Sequence, residues 1–226
     1  MKTVAIHQPQ FMPWLGYLNK IHSCDVFVFL DNVQYKKNEW QNRNRIKTAD
    51  GPQWLTVPNC YKFPQRINEV TVNNRENWRR KHLQALITNY SKAPYFKDAM
   101  PVFQEFYSRE WEFLADVNMD SVNLMLDFFK IEQELLKASD MELRDAPNER
   151  LVDICKIVGA DTYLAGKDGE KYMDLEIFRK EGIKVVFQQF SPPEYPQLFG
   201  EFVPCLSAID LAFNCGGEGR KLFVKD

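Results

Sequence analysis

Four short apolar runs and the spacing between them restrict the folds open to this chain. Lys2–His7, Asp25–Leu30, Asp161–Ala165 and Ile183–Gln188 are rich in aliphatic and aromatic residues and are bounded by polar or turn-forming ones. Runs of this length suit buried strands and are too short for independent helices. The stretches beside them carry helical spacing. From Trp14 to about Ser23, Leu15, Leu18 and Ile21 share a face, with Pro13 near the start. Asn148 can cap a helix whose apolar face is Leu151, Ile154, Cys155 and Val158, ended by Gly159. Glu170–Glu181 reads as a helix closed by Gly182, and Gln133–Ser139 as a further strand, although its composition also permits helix. Strand–helix–strand alternation predicts an α/β protein with a Rossmann-like, doubly wound, mainly parallel sheet. In such a sheet the loops after the strands gather at one edge, where ligands bind.

The middle of the chain breaks this rhythm. Residues 31–80 are rich in Asn, Gln and Arg, with Trp40, Trp54 and Trp78 among them, and Gln53–Val57 and Val70–Val72 read as short strands. Residues 79–130 read as a helical insertion. Leu83, Leu86, Ile87 and Tyr90 follow helical spacing, Leu114, Val117, Ser121, Leu124 and Phe128 do so more loosely, and Pro94 and Pro101 break the block. The expected organisation is one α/β domain over 1–226, made of an N-terminal part (1–78), the insertion (79–130) and a C-terminal α/β part (131–226).

Composition excludes several classes. With 45% hydrophobic and 27% charged residues, the chain is neither a disordered tail nor a fibrous rod. No apolar run approaches the ~20 residues that span a bilayer. Val4–Ile6 is too short for a signal-peptide core of ~7–15 residues, so a cytoplasmic location without membrane insertion is expected. Cys24, Cys60, Cys155, Cys205 and Cys215 form no C-x-x-C pair, and His7, His22 and His82 are dispersed, so no metal site is expected. The net charge of −2 hides a split: residues 1–100 hold 15 Lys+Arg against 7 Asp+Glu, whereas 101–226 hold 14 against 24. The basic half offers a surface for phosphates or carboxylates, or else for the acidic half or a second copy in a homo-oligomer.

No G-x-G-x-x-G, Walker A, H-E-x-x-H or G-x-S-x-G motif is present. Three clusters stand out: the run from His7 to Ile21; Asp31-Asn32-Val33-Gln34-Tyr35 followed by Lys37, Trp40 and Asn42–Ile46; and Tyr195-Pro196-Gln197-Leu198 followed by Glu201–Pro204 and Leu206–Gly216. In these segments the chain resembles the WbqC-like proteins of bacterial surface-polysaccharide and O-antigen gene clusters, from residue 3 to about 216. One departure lies at Tyr163–Tyr172, where the family pattern is nearer Y-L-S-G-P-x-x-K-x-Y. Ala165 replaces a serine, Lys167 replaces a proline, and the lysine stands at 171 rather than 170.

A second resemblance concerns chemistry. The first 35 residues are similar in layout to adenylyl-transferring enzymes of the HIGH superfamily, in particular pantothenate synthetase. Trp14-Leu15-Gly16-Tyr17 occupies the place of their H-x-G-H, keeping the glycine and losing both histidines. Phe29–Tyr35 lines up with their F-V-N-P-x-Q-F, which sets Gln34 on an acid substrate. This resemblance implies ATP, with Mg2+ as a companion ion, in a nucleotide-binding part over 1–78. The edge of a doubly wound sheet would gather His7, Gln8, Gln10, Gly16, Tyr17 and Gln34 around one crevice, with Arg43 or Arg45 at its rim and Tyr172, after the fourth strand, as its far wall; Gln8, Gln10, Trp14, Gly16, Tyr17 and Tyr172 are the expected nucleotide contacts.

The residues themselves allow that reading beside plainer ones. A glycine at a helix start lets a phosphate approach the backbone. His7 can bond phosphate, or simply a backbone carbonyl at the strand end. Lys37, Arg43 and Arg45 can supply charge to phosphate or carboxylate, or form a solvated face. Gln34, Asn42 and Gln197 suit uncharged substrate recognition, or loop stabilisation. Asp210 and Asn214 share a helix face and serve capping as well as a site.

Three functions follow as expectations. The first is ATP-dependent activation of a carboxylate or amino acid and transfer of the acyl group to an amino sugar. The second is nucleotidylyl transfer that makes a nucleotide-linked metabolite. The third is a non-catalytic anion- or nucleotide-binding module. Nucleic acid is not an expected partner, because the second half is acidic and the pI is about 6.0.

Overall fold

In the computed structural model, which describes residues 1–171 and 173–224, strand pairing realises the alternation read from sequence. The elements run β1 (Thr3–His7), α1 (Leu15–His22), β2 (Val26–Phe29), β3 (Arg43–Thr48), β4 (Gly51–Thr56), β5 (Asn59–Cys60), β6 (Thr71–Val72), α2 (Trp78–Tyr90), α3 (Phe96–Ser108), α4 (Leu114–Phe128), β7 (Glu134–Lys137), α5 (Pro147–Ile157), β8 (Thr162–Ala165), α6 (Leu175–Lys180), β9 (Lys184–Phe187) and α7 (Ala208–Cys215). Five strands form one sheet in the order β7-β2-β1-β8-β9, and every neighbouring pair is parallel. Numbered among themselves, these strands run 3-2-1-4-5, the doubly wound Rossmann order.

Two apolar layers cover the sheet, because strand side chains alternate faces. Ala5, Phe27, Phe29 and Leu164 point into a core shared with Leu15, Leu18 and Ile21 of α1, α4 and α7. Val4, Ile6, Val26, Val28, Tyr163 and Ala165 point the other way, onto Val152, Ile154 and Cys155 of α5 and Phe178 of α6. Between β2 and β7 the chain makes two small antiparallel sheets, β3–β4 and β5–β6, and the helices α2, α3 and α4.

Local sequence explains most boundaries, and three expectations are corrected. Asn148 does not cap α5. Ala146 stands at that position and Pro147 opens the first turn, where a missing N–H costs nothing. Asn148 instead accepts a bond from the Asp174 backbone N–H at 3.3 Å. The helix read at Glu170–Glu181 begins only at Leu175, capped by Asp174, and a 3-10 turn covers Lys167–Lys171. Pro101 does not break a helix but lies inside α3; Ala99, Met100, Phe103, Phe106 and Tyr107 are buried there, and their packing offsets the lost hydrogen bond. Among the described residues no helix is long and apolar enough to cross a membrane.

Candidate functional site

The carboxyl ends of the parallel strands open onto a cavity of about 780 Å3. It sits where strand order reverses, between β1 and β8. Ile6, His7 and Gln8 enter from β1, Leu30 and Val33 from beyond β2, Gly166–Gly169 from β8, and Gln188 and Phe190 from β9. Trp14 before α1, Gly16, Tyr17 and Lys20 of α1, Pro147, Arg150 and Leu151 of α5 and Tyr163 of β8 complete the lining.

His7, Tyr17 and Lys20 form the floor beside β1. The His7 Nδ1 lies 3.0 Å from the Gln8 carbonyl. A carbonyl only accepts, so Nδ1 carries the proton and Nε2 keeps a free lone pair. Burial, aided by the nearby Lys20 ammonium, lowers the His7 pKa to about 4, so the ring is neutral at pH 7. The Tyr17 hydroxyl donates to the same Gln8 carbonyl at 3.1 Å, and its ring meets His7 edge-on at 5.0 Å.

Lys20 stands one turn along α1 from Gly16, and helical side chains lean toward the N-terminus. Its Nζ donates to the Ile6 carbonyl at 3.0 Å. Lys20 is only 2% exposed, and no carboxylate among the described residues pairs with it. Burial lowers its pKa to about 8, which leaves it charged at pH 7. An ammonium kept dry without a counter-ion attracts an anion. The first turn of α1 adds to this through its dipole: it carries no acidic residue and its N-cap Trp14 makes no side-chain cap bond, although the Tyr17 and Leu18 N–H groups are taken by the Trp14 carbonyl. Arg150 and Lys167 bring two further cations, set against one lining carboxylate, Asp168; Arg150 also bonds Asp145 at its back, and Asp168 pairs with Lys171 at 2.6 Å.

Gly16 has a specific reason to lack a side chain. A Cβ there would lie 2.3 Å from the Trp14 indole, which folds back over the helix start. Trp14 in turn meets Phe190 edge-on at 5.6 Å, giving the cavity one aromatic wall. Gln188 holds this corner, donating to the Gly16 carbonyl at 2.9 Å and to Asn19 Oδ1 at 2.7 Å.

A second chamber of about 180 Å3 adjoins the first through His7 and Gln8. Gln10, Lys36, Glu39, Trp40 and Gln41 complete it. Its amides are pinned: Gln41 Nε2 donates to Gln8 Oε1 at 2.6 Å, and the Lys36 backbone N–H donates to Gln41 Oε1 at 2.9 Å. Helix α4 holds the loop between β1 and α1 from outside. Asn118 Nδ2 donates to the carbonyls of Pro9 and Gln41, and Ser121 Oγ accepts from the Met12 N–H at 2.9 Å.

The residues proposed from sequence thus separate into groups. His7, Gln8, Trp14, Gly16 and Tyr17 gather at the large cavity, and Gln10 lines the small chamber. Gln34 is exposed and lines neither; its neighbour Val33 reaches the large cavity instead. Lys37 is exposed, and Arg43 and Arg45 lie on β3 against Trp54, outside both cavities. Asn42 is buried, donating to the Val57 carbonyl at 3.3 Å. Gln197 spends its amide on the backbone of Val203. Tyr172 lies outside the described residues. Asp210 is buried in α7, where the Tyr90 hydroxyl donates to it at 2.7 Å, while Asn214 bonds back to the Asp210 carbonyl. Lys20, Arg150, Lys167 and Gln188 were not singled out from sequence. The one available signal was Lys20 at i+3 and i+4 from Tyr17 and Gly16, on the face that also carries the site.

This arrangement defines a class: a Rossmann-like α/β protein whose carboxyl-edge cavity pairs an aromatic wall with a buried cation that has no carboxylate partner among the described residues. The chain belongs to the WbqC-like protein family, whose model matches residues 8–222. It is 36% identical over 222 residues to a Mycobacterium tuberculosis protein named "Uncharacterized protein Rv1507c", with 96% of each chain covered. No solved structure matches the chain.

Proposed function

We propose that this WbqC-like protein is an adenylate-forming acyltransferase of surface-polysaccharide biosynthesis. It activates a carboxylate, such as an amino acid, with ATP and passes the acyl group to an amino sugar. The observation that carries the reading is Lys20: a dry, charged ammonium with no carboxylate partner, beside an uncapped helix start at the switch point of the sheet. Phosphates fit there, with Arg150 and Lys167 across the cavity to neutralise them. The Trp14–Phe190 wall suits a purine face.

In the first step a carboxylate oxygen attacks the α-phosphorus of ATP and pyrophosphate leaves. The lysine, the arginine and the helix N-terminus stabilise the charge that develops on the transferring phosphoryl group. In the second step the neutral amine attacks the acyl carbon, the acyl–oxygen bond breaks with its electron pair on the departing AMP, and the surplus amine proton passes to solvent. Neutral His7 and the glutamines at the junction of the two chambers orient the reactants, and positioning supplies much of the rate. Mg2+ would enter with the ATP phosphates, which would supply its ligands: the one lining carboxylate, Asp168, is paired with Lys171 at 2.6 Å, and the described residues offer no cluster of metal-ligating side chains.

The test is calorimetric titration with ATP, followed by ATP–pyrophosphate exchange across a panel of carboxylic and amino acids with Mg2+. ATP binding is expected, with exchange that depends on one carboxylate. Lys20→Met is expected to weaken ATP binding by about 10–100-fold, the worth of one charge-assisted bond. Absence of ATP binding at millimolar concentration would overturn the proposal. Exchange that needs no carboxylate would replace it with nucleotidylyl transfer.

A further inference from the structure

We infer that the small chamber, together with an indole–guanidinium shelf beside it, is the acceptor site, and that its occupant is a saccharide with an amino or hydroxyl group at the entering end and negative charge along the remainder. The inference deepens the acyl-transfer reading and rests on it for the word acceptor.

The chamber has the chemistry of a polyol site. Three carboxamides, Gln8, Gln10 and Gln41, line it; Gln41 and the Gln8 Oε1 are held by each other and by Lys36, which leaves the Gln8 Nε2 and the Gln10 amide to give and take hydrogen bonds. Gln10 is 7% exposed, and its Oε1 has no partner among the described residues, so it still requires a donor such as a hydroxyl or ammonium. Glu39 supplies a carboxylate suited to an ammonium. His7 and Gln8 belong to both chambers, so an amine held here adjoins the cavity assigned to the acyl phosphate.

The shelf continues outward from Trp40, which lines the chamber and is 37% exposed. Trp54 is 40% exposed, and the two indole centroids lie 5.6 Å apart. Strand alternation sets Arg43 and Arg45 on one face of β3, and pairing sets Trp54 opposite Arg45. The Arg43 guanidinium lies 4.1 Å over Trp54, and that of Arg45 lies 5.5 Å from Trp54 and 5.9 Å from Trp40. Among the described residues neither arginine pairs with a carboxylate; Arg43 donates to the Asn38 carbonyl. Exposed indoles offer flat faces for the C–H surface of sugar rings. Stacked guanidinium groups offer planar forks for carboxylate, sulfate or phosphate substituents. A neutral saccharide would leave the two cations unused, and a simple anion would leave the two indoles bare.

The test uses a de-N-sulfated heparin tetrasaccharide, which carries free amines and anionic groups, with glucosamine and an eight-nucleotide oligothymidylate as comparisons. Tryptophan fluorescence and side-chain amide NMR report binding. The tetrasaccharide is expected to bind, to shift the Gln8, Gln10 and Gln41 amide signals, and to lose at least about tenfold in affinity in Trp54→Ala and in Arg43→Gln plus Arg45→Gln. Such a loss is about 1.4 kcal/mol. Both sets of changes are on partly exposed side chains, and circular dichroism verifies that the variants fold. Glutamine signals that do not move, affinity unchanged by the shelf substitutions, or tighter binding of the oligothymidylate would each overturn the inference. ATP titration of the unaltered chain separates the two proposals. Saccharide binding without ATP binding removes the adenylation reading alone, and ATP binding without saccharide binding removes the acceptor site alone.

Discussion

Replacing Lys20 by methionine is expected to make the fold more stable while removing its ligand. Lys20 is held inside at 2% exposure, and its pKa is lowered from 10.5 to about 8 by burial. That difference corresponds to a folding penalty of about 3 kcal/mol wherever the amine is charged in both states. Methionine has similar length and no charge. It forfeits the charge-assisted bond to the Ile6 carbonyl, worth about 2 kcal/mol. The expected net gain at pH 7.5 is therefore about 1 kcal/mol, or about 2–4 °C in Tm for a chain of this size. The pH dependence carries a second signature. The folded pKa lies below the unfolded one, so between pH 8 and 10.5 the unfolded state binds more protons and the parent gains stability as pH rises. The variant lacks this rise, and its advantage over the parent shrinks across that window. Urea unfolding of both proteins at pH 7.5 and about pH 10, with ATP titration at pH 7.5, measures all of this. A variant that loses 2 kcal/mol or more at pH 7.5, or that binds ATP as tightly as the parent, would show that Lys20 is a structural group and refute the argument.

Three further outcomes are expected. Acid should destabilise the fold through His7 and His82, each lowered from 6.5 to about 4 chiefly by burial. Their contribution is complete above pH 6.5 and is lost as pH falls toward 4, by up to about 3 kcal/mol each; urea midpoints that stay flat over that range in the parent would contradict it. Tyr90→Phe removes the donor to the buried Asp210 carboxylate and an acceptor for the Lys47 N–H, and should cost about 2–4 kcal/mol in chemical unfolding. Gly16→Ala must displace the Trp14 indole, because a Cβ there falls 2.3 Å from the ring. It should change tryptophan fluorescence and weaken ATP binding, with a Tm loss confined to a few degrees; an unchanged spectrum would show that the ring is not seated there.

The sheet was legible because its central strands β1, β2 and β8 are buried on both faces and so stand out as unbroken apolar runs, whereas the half-exposed edge strand β7 read as strand or helix. Part of the large cavity was legible for a related reason: in a doubly wound sheet the edge at which strand 1 ends is known before any side chain is placed. His7, Gln8, Trp14, Gly16 and Tyr17 follow from that one fact. Pattern could not show that Gly16 yields its space to Trp14, since glycine before a helix reads equally as room for a phosphate. Nor could it find Lys20, which looks like the polar face of an amphipathic helix until β1 is laid against it. Charge clustering gathered Lys37, Arg43 and Arg45 with the site, but the β3–β4 pairing carries the arginines onto a separate face against Trp54. Gln197 illustrates the limit for amides: the same side chain that suits a substrate also suits Val203, and only coordinates decide.

The helices between β2 and β7 have a consequence for how the molecule assembles. The two strands pair in register, Val26 with Glu134 through Phe29 with Lys137, yet lie about a hundred residues apart in sequence. Closing a loop of that length is entropically costly and raises the mean sequence separation of contacts, a property that slows folding. The loop between β1 and α1 meets the same delay. Its Pro9 carbonyl and Met12 N–H are bonded by Asn118 and Ser121 of α4, more than a hundred positions further along. The ligand-side loop of the first strand therefore acquires its shape late, from a helix synthesised well after it. Trimming the three helices to obtain a smaller protein would leave the sheet's apolar strands intact in sequence but the cavity without its template.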